Sequence, residues 1–200
     1  MTQAPLNVLA VVGSLNSTSS TRVVISHVGG LFKAAGVPVD VLDLLDEPLA
    51  LFNPDSAHQT QGFAELQARV QRADVYILGT PDYHGSISSA MKNFLDHFWH
   101  EFAGKLFATI VASHEKGLTV TDQLRTVARQ CYAWSLPYGV SFAEDLDIKD
   151  GQIISESLHT RLEMLVRDAR IYGELLARQR HADLGESGPG FMARWREPEK

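Results

Sequence analysis

The sequence predicts a single α/β domain built on a parallel sheet with helices on both faces. Two observations lead to this class. Apolar runs rich in aliphatic side chains alternate along the chain with helically spaced apolar patterns, and this alternation is typical of a parallel sheet covered by helices. A chain of 200 residues suits one domain and can bury roughly 70% of the surface exposed in its unfolded state. We expect that domain to span residues 1–180, followed by a polar, flexible C-terminal tail over 181–200.

The first half of the chain predicts two strand–helix pairs. Residues 6–12 are mostly aliphatic and end at a glycine, which is typical of a buried strand. Residues 19–35 place apolar side chains at intervals of three and four, as a helix requires, and Gly36 suits the left-handed position that ends it. Residues 37–44 alternate apolar and polar side chains, which predicts a second strand. A short helix follows over 62–71.

The second half repeats this pattern. The apolar run 75–79 predicts a third strand that stops at a Thr-Pro pair, and residues 86–102 predict a long helix with one apolar stripe. A fourth strand is expected over 106–112, a helix over 119–133 and a short fifth strand over 138–142.

The last predicted elements are a turn and a closing helix. Asp150-Gly151 is typical of a tight turn or a small hairpin, and residues 158–177 have helical spacing. Five parallel strands leave two doubly wound arrangements, the dinucleotide-binding order and the order 2-1-3-4-5. In both of them ligands bind beyond the carboxyl ends of the strands, so the loops after strands one, three and four are the candidate site.

Composition excludes several classes of protein. The net charge of −6 argues against nucleic acid or an anionic membrane as a partner. Cys131 is the only cysteine, which excludes an internal disulfide and a cysteine-based metal centre within one chain. The apolar runs fall well short of the ~20 residues that a membrane span needs, and the start lacks the basic segment of a secretory signal. We therefore expect a cytoplasmic protein.

The loop after the first strand has the composition of a phosphate site. Seven of the ten residues 13–22 are Ser, Thr or Asn, and they lead into a helix N-terminus, where unpaired N–H groups and the helix dipole attract phosphate. The glycine-rich motifs of nucleoside-triphosphate and dinucleotide sites are both missing. A helix cap needs one such side chain rather than seven, so the pattern indicates a phosphate ligand.

The loop after the third strand is suited to a planar ligand. It reads Thr80-Pro81-Asp82-Tyr83-His84-Gly85-Ser86 and continues into the predicted long helix. A rigid proline, an aromatic side chain and a glycine that permits close backbone approach can together present N–H groups and a flat surface.

These two loops resemble the NADPH-dependent FMN reductase family, whose fold is flavodoxin-like with strand order 2-1-3-4-5. The family patterns G-S-x-R-x-x-S and P-x-Y-x-x-S-x-x-x-x-K-N correspond here to residues 13–19 and to residues 81–86 followed by Lys92-Asn93. The resemblance covers most of residues 6–178 in layout. Asn16 stands where the family usually carries Arg, so one positive charge on the phosphate side is lost.

The resemblance implies an FMN-dependent NAD(P)H oxidoreductase. Hydride would pass from NADPH or NADH to bound FMN and then to a small-molecule electron acceptor, such as free flavin or a quinone, by a ping-pong mechanism. Because the flavin carries the chemistry, no side chain is implied as catalytic and no metal is required. The implied cofactor-binding residues are Ser14, Asn16, Ser19, Ser20, Thr21, Pro81, Asp82, Tyr83, His84, Gly85, Ser86, Ser113 and Gly117.

Other functions remain open at this point. A flavodoxin-like electron carrier is one alternative, although a carrier usually shields its flavin with aromatic side chains on both faces. An azo- or chromate-type reductase and a flavin-less binding domain are the others.

The predicted helix 86–102 also indicates self-association. Phe94, Phe98, Trp99 and Phe102 give it more aromatic area than one face packed on its own sheet can hide, which predicts a homodimer or homotetramer. The same helix carries polar side chains at metal-ligand spacing, namely Asp96, His97, His100 and Glu101. No third ligand and no H-E-x-x-H motif accompany either pair, so we interpret this edge as a subunit contact rather than a metal site.

Overall fold

The computed structural model describes residues 5–196 and contains a five-stranded parallel sheet. The strands are β1 (Val8–Val12), β2 (Val39–Asp43), β3 (Val75–Tyr83), β4 (Leu106–Ala112) and β5 (Val140–Phe142). Their order is β2-β1-β3-β4-β5, and every neighbouring pair is parallel. The predicted fold class and order are therefore confirmed. The two-residue strand Trp134–Ser135 also pairs with β4, just before Pro137 interrupts the edge.

Helices cover both faces of the sheet, as predicted. They are α1 (Ser20–Ala34), α2 (Phe63–Arg72), α3 (Ser89–Asp96), α4 (Leu118–Gln130) and α5 (Glu156–Gly185). Helices α1 and α5 bury one core against the sheet, and α2, α3 and α4 bury a second core on the opposite face. Shorter helical turns lie at Ala57–Gln59, His100–Phe102, Glu144–Asp147 and Phe191–Trp195. The predicted Asp150-Gly151 turn joins the hairpin strands Ile148–Lys149 and Gln152–Ile153.

Strand β3 continues four residues beyond its predicted end and carries the candidate ring loop. Pro81 stays in register with Ala112 of β4, and the chain then folds back so that Asp82 and Tyr83 pair with the short strand Ser86–Ile87. The carbonyl of Gly79 faces β1, so the backbone nitrogen of Pro81, two residues on, faces the same side. Because β1 has already ended there, the missing N–H removes no ladder hydrogen bond.

The helix predicted over 86–102 is shorter in the structure. Its first residues form the strand beside Tyr83, Ser88 caps α3 by accepting a hydrogen bond from Met91 N, and the helix ends at Asp96. The chain then turns, which places Phe98 and Phe102 in the core of their own subunit together with Phe94. Only Trp99 keeps about half of its surface exposed. This segment therefore does not expose the large aromatic area from which self-association was predicted.

The C-terminal segment differs from the flexible tail expected over 181–200. Helix α5 continues to Gly185, and residues Phe191–Trp195 form a 3-10 turn that packs back on the domain. Met192 is 2% exposed and lies against Gly104, where an added Cβ would stand 2.9 Å from its sulfur. Phe191 and Trp195 also contact Trp134 and Tyr132, so apolar and aromatic contacts together hold this segment on the domain. Residues 197–200 lie outside the described part of the chain. Within residues 5–196, none of the helices combines the length and apolar character needed to cross a bilayer.

Candidate functional site

A cavity lies at the carboxyl ends of β1, β3 and β4, where the sequence placed the candidate site. It is lined by Ser14, Asn16, Ser19, Ser20, Thr21, Pro81, Asp82, Tyr83, Ala112, Ser113, His114 and Glu144. Nine of the thirteen predicted residues are in this set: five from the loop after β1, three from the loop after β3, and Ser113 after β4. The structure thus brings three loops that are far apart in sequence to one place.

The loop after β1 is held rigidly between β3 and α3. Gly13 N donates to the carbonyl of Gly79 over 2.7 Å, and the Ser88 hydroxyl donates to the carbonyl of Gly13. A Cβ at position 13 would stand 2.9 Å from the same Gly79 oxygen, so only glycine fits this close approach without a backbone shift. These contacts fix the chain just before it reaches the N-terminus of α1.

The N-terminus of α1 carries hydrogen-bond donors at the cavity wall, of which the Ser20 hydroxyl is engaged by Glu144. Ser19 occupies the N-cap position, yet its side chain accepts no capping hydrogen bond, and the side chains of Ser19, Ser20 and Thr21 are largely buried at the cavity wall. The first backbone N–H groups of a helix have no intrahelical acceptor. A phosphate group therefore fits this cradle through backbone and hydroxyl donors.

No Lys or Arg is among the described residues that line the cavity. Arg22, the nearest basic residue in sequence, pairs instead with Asp43 and donates to the carbonyl of Asn16. Burial tends to raise the pKa of Asp43, but hydrogen bonds from Arg22 and Leu45 N outweigh it and the pKa lies below its usual value. The pair is therefore charged near neutral pH, and its guanidinium is occupied by Asp43 and by backbone carbonyls of the loop itself.

The ring loop after β3 is a tight turn locked by Asp82. Its carboxylate accepts from Gly85 N over 2.7 Å and from the Ser113 hydroxyl over 2.9 Å. His84 and Gly85 both have positive φ, at 58° and 75°, which closes the turn. Tyr83 stands at the cavity with 53% of its surface exposed. The loop therefore presents one aromatic side chain at an open mouth.

Four predicted site residues do not line the cavity: His84, Gly85, Ser86 and Gly117. The first three shape the turn, and the Ser86 hydroxyl donates to Gln123 of α4. Gly117 is the left-handed N-cap of α4 and packs on Val111. We find these residues supporting the loops rather than facing a ligand.

Sequence reasoning missed Ala112, His114 and Glu144. Glu144 begins the one-turn helix after β5, and its carboxylate accepts from the Ser20 hydroxyl over 3.0 Å. The loop after β5 also lies at the carboxyl ends of the strands, where ligands bind, but only the folded structure shows that Glu144 reaches Ser20.

The four polar residues considered as a metal edge have other roles. Asp96 pairs with Lys92, Glu101 accepts from Gln67, and His97 Nδ1 lies 2.8 Å from the carbonyl of Asn93. His100 Nδ1 accepts from the Trp195 indole. Across residues 5–196, His, Cys, Asp and Glu side chains form no group of three that could hold a metal ion.

Comparison with known proteins supports the assignment made from these loops. The family model described as NADPH-dependent FMN reductase matches residues 6–147. The chain belongs to this family. The resemblance drawn from the two loop motifs is thereby confirmed, together with the class of enzyme, an oxidoreductase, and the family's cofactors, FMN and a nicotinamide nucleotide.

Individual relatives are more distant. An FMN-dependent NADPH-azoreductase of Staphylococcus haemolyticus (strain JCSC1435) is 28% identical over 137 residues, which cover 64% of this chain and 72% of that protein. A protein of the same name from Staphylococcus aureus (strain USA300) is 33% identical over 94 residues, or 44% of this chain and 50% of that one. The match thus spans only half the length of the second relative.

Solved structures confirm the fold. A flavoenzyme NAD(P)H:(acceptor) oxidoreductase from Paracoccus denitrificans superposes with a TM-score of 0.71 at 19% identity, covering 84% of this chain and 97% of that one. An NADH:FMN oxidoreductase in its apo form gives a TM-score of 0.66 at 18% identity, covering 84% and 89%.

Proposed function

We propose that this family member holds FMN in the cavity at the carboxyl edge of the sheet and transfers electrons from NADPH or NADH to a small-molecule acceptor. The observation that carries the proposal is the convergence on one cavity of a donor-rich helix N-terminus and a turn that presents Tyr83. A ligand with a phosphate at one end and a flat aromatic ring at the other needs both of these environments.

In this proposal the loop after β1 binds the phosphate. Its ligands are Ser14, Asn16, Ser19, Ser20 and Thr21, all of which line the cavity. Ser19 has a hydroxyl that caps nothing, and the first backbone N–H groups of α1 have no acceptor within the helix. Phosphate oxygens accept from such groups without needing a basic side chain.

The flavin ring would lie against Pro81, Asp82, Tyr83 and Ser113. Four of the predicted residues act indirectly, by fixing the loops that contact the ligand: His84, Gly85, Ser86 and Gly117. The cavity measures about 180 Å³, which is less than the ~300–1,000 Å³ of pockets that bury a drug-sized ligand. We infer that the ring extends into the open mouth beside Tyr83.

When bound, FMN accepts a hydride from the nicotinamide and gives the electrons to the acceptor. We infer that the flavin presents one face at the open mouth beside Tyr83, so that donor and acceptor take turns on that face. We therefore propose ping-pong turnover. Tyr83 is also the only Phe, Tyr or Trp among the described lining residues, which favours an open enzyme site over the shielded flavin of an electron carrier.

Initial rates at varied NADPH and several acceptor concentrations test this proposal. Parallel double-reciprocal lines are expected, with both half-reactions slowed by Tyr83→Ala and restored by Tyr83→Phe, which keeps the aromatic wall. Intersecting lines, or a Tyr83→Ala effect confined to one half-reaction, would reject a shared face. The acceptor screen includes free flavin, quinones and azo compounds, the last because two relatives are named as azoreductases.

A further inference from the structure

The carboxylate of Glu144 reaches the start of α1, where the phosphate is proposed to bind. Glu144 Oε2 accepts a hydrogen bond from the Ser20 hydroxyl over 3.0 Å, although the two residues are 124 positions apart. Both side chains line the same cavity. The one-turn helix that carries Glu144 is fixed in place because Asp147 accepts from Ala143 N over 2.9 Å, so the carboxylate is held close to the start of α1.

A phosphate bound here would meet this carboxylate in two ways. A serine hydroxyl has a single proton to donate, so the phosphate and Glu144 compete for the one hydrogen bond that Ser20 can give. A phosphate monoester also carries a charge of about −1.5 to −2 at neutral pH, and its repulsion from a carboxylate a few ångströms away is not offset by a basic side chain. Arg22 is paired with Asp43, and the described lining residues contribute only His114 as a base.

We propose that Glu144 sets how tightly this protein holds the phosphate of its flavin, and that it keeps FMN readily exchangeable. This inference rests on the proposed function, since it assumes that FMN occupies the cavity. Glu144 disfavours the phosphate group specifically. It therefore reduces the difference in affinity between FMN and riboflavin, which lacks that group. A loosely held phosphate lets bound FMN exchange with flavin in solution between turnovers.

The test measures the dissociation constants of FMN and riboflavin by quenching of flavin fluorescence. Glu144→Gln keeps the size of the side chain and removes its charge, so FMN binding should tighten about three- to tenfold, with riboflavin binding changed less than about twofold. Glu144→Ala should shift FMN binding in the same direction. Glu156→Gln is the matched control, because it removes the same charge from an exposed position outside the cavity lining, and it should leave both constants unchanged.

Salt gives a second readout. Raising the ionic strength from about 0.02 M to about 0.5 M shortens the Debye length from roughly 20 Å to roughly 4 Å, so the advantage of Glu144→Gln should shrink. A purely steric effect of the side chain would not respond in this way.

The outcomes separate this inference from the proposed function. Wild-type protein that binds FMN as tightly as Glu144→Gln, or more tightly, overturns the role of Glu144 and leaves the proposed function standing. Equal tightening for FMN and riboflavin also overturns it, because the phosphate would then not be the group affected. Failure of the wild type and both Glu144 variants to bind FMN overturns the proposed function, and this inference with it.

Discussion

At the scale of single residues, Gly13 is a position of the phosphate loop that has no room for a side chain. A Cβ there would stand 2.9 Å from the Gly79 carbonyl oxygen and from Met91 Cβ, both of which are fixed by the sheet and α3. We expect Gly13→Ala to lower the free energy of unfolding by about 1–3 kcal/mol and to weaken FMN binding. Denaturant unfolding and flavin titration measure the two effects.

Gly30→Ala provides the matched control for this prediction. Gly30 lies in the exposed part of α1 with nothing within 4 Å of an added Cβ, so the change should stabilise the helix by about 0.5–1 kcal/mol. Equal stability of Gly13→Ala and wild type would contradict the close approach between β1 and β3.

Lys105 is a second residue with a measurable signature. Its side chain is buried, and Nζ donates to the carbonyls of Val70 and Gln71 at the end of α2. Burial lowers the pKa of Lys105 to about 7. Between pH 7 and the ordinary lysine pKa, the folded protein therefore binds fewer protons than the unfolded chain, so this residue makes stability rise with pH across that window.

The effect is isolated by comparing variants at pH 8 and pH 9.5. The free energy of unfolding of wild type, measured with denaturant, should rise by up to about 1.4 kcal/mol per pH unit relative to that of Lys105→Met. Lys149→Met, at an exposed position, should keep the wild-type dependence. If the free energy of unfolding changed equally with pH in wild type and in Lys105→Met, Lys105 would be shown to stay protonated in the folded state.

Residue composition predicted most of the candidate site, and contacts between distant residues account for what it missed. Ser, Thr and Asn clustered after β1 could be recognised because they are neighbours in sequence. Glu144 could not, because it reaches Ser20 only through the packing of β5 against the sheet. Likewise, nothing in the sequence alone shows that Arg22 is engaged by Asp43.

At the scale of elements, α3 holds the loop around residues 49–52 through Asn93. Its side-chain oxygen accepts from Phe52 N over 2.8 Å, and its amide donates to the carbonyl of Ala50 over 3.0 Å. We expect Asn93→Ala to release the loop around residues 49–52 and to cost about 0.5–1.5 kcal/mol of stability, because the half-buried Phe52 N and the exposed Ala50 carbonyl lose their hydrogen bonds. Faster hydrogen exchange at Phe52 N checks the local effect.

The neighbouring Lys92 serves as the control for Asn93. Its ion pair with Asp96 is exposed and spaced i,i+4 on the helix, and such pairs contribute about 0.3–0.5 kcal/mol. Lys92→Ala should therefore leave the loop and the global stability close to wild type. A larger loss for Lys92→Ala than for Asn93→Ala would reverse the roles assigned to these two residues.

Element prediction succeeded where local pattern and tertiary packing agree. The fourth strand was predicted at its observed bounds, because its residues are apolar and buried on both faces. The helix expected over 86–102 was too long at both ends. At its start, the apolar spacing includes Ser86–Ile87, which instead forms a strand paired with the extended β3. At its end, the spacing includes Phe98 and Phe102, which reach the core from a turn. Spacing alone cannot distinguish a helical stripe from consecutive elements that share one core.

At the scale of the whole molecule, self-association remains a prediction. The candidate contact surface is now a different part of the molecule. Leu15 and Leu51 are 53% and 85% exposed, and with Leu49 and Ala90 they line an apolar groove beside α3 and the phosphate loop. We expect a dimer or tetramer at micromolar concentration by light scattering, and a shift towards monomer in Leu51→Asp.

The control for that shift is Leu146→Asp. Leu146 is 72% exposed but lies outside this groove, so its replacement should leave the mass unchanged. A monomeric wild type, or equal effects of the two variants, would remove the groove as the contact surface.

The central claim is that the cavity binds FMN through the loop after β1 and that a nicotinamide reduces it there. Anaerobic addition of NADPH to the protein–FMN complex, followed through the flavin absorbance band, tests this most directly. The account predicts that the band bleaches in wild type. In Ser14→Ala/Ser19→Ala, FMN affinity should fall about tenfold or more, since hydrogen bonds to a charged group are lost, and bleaching should fall with it. Wild-type protein that binds no FMN, or a double variant with undiminished binding and reduction, would contradict the account.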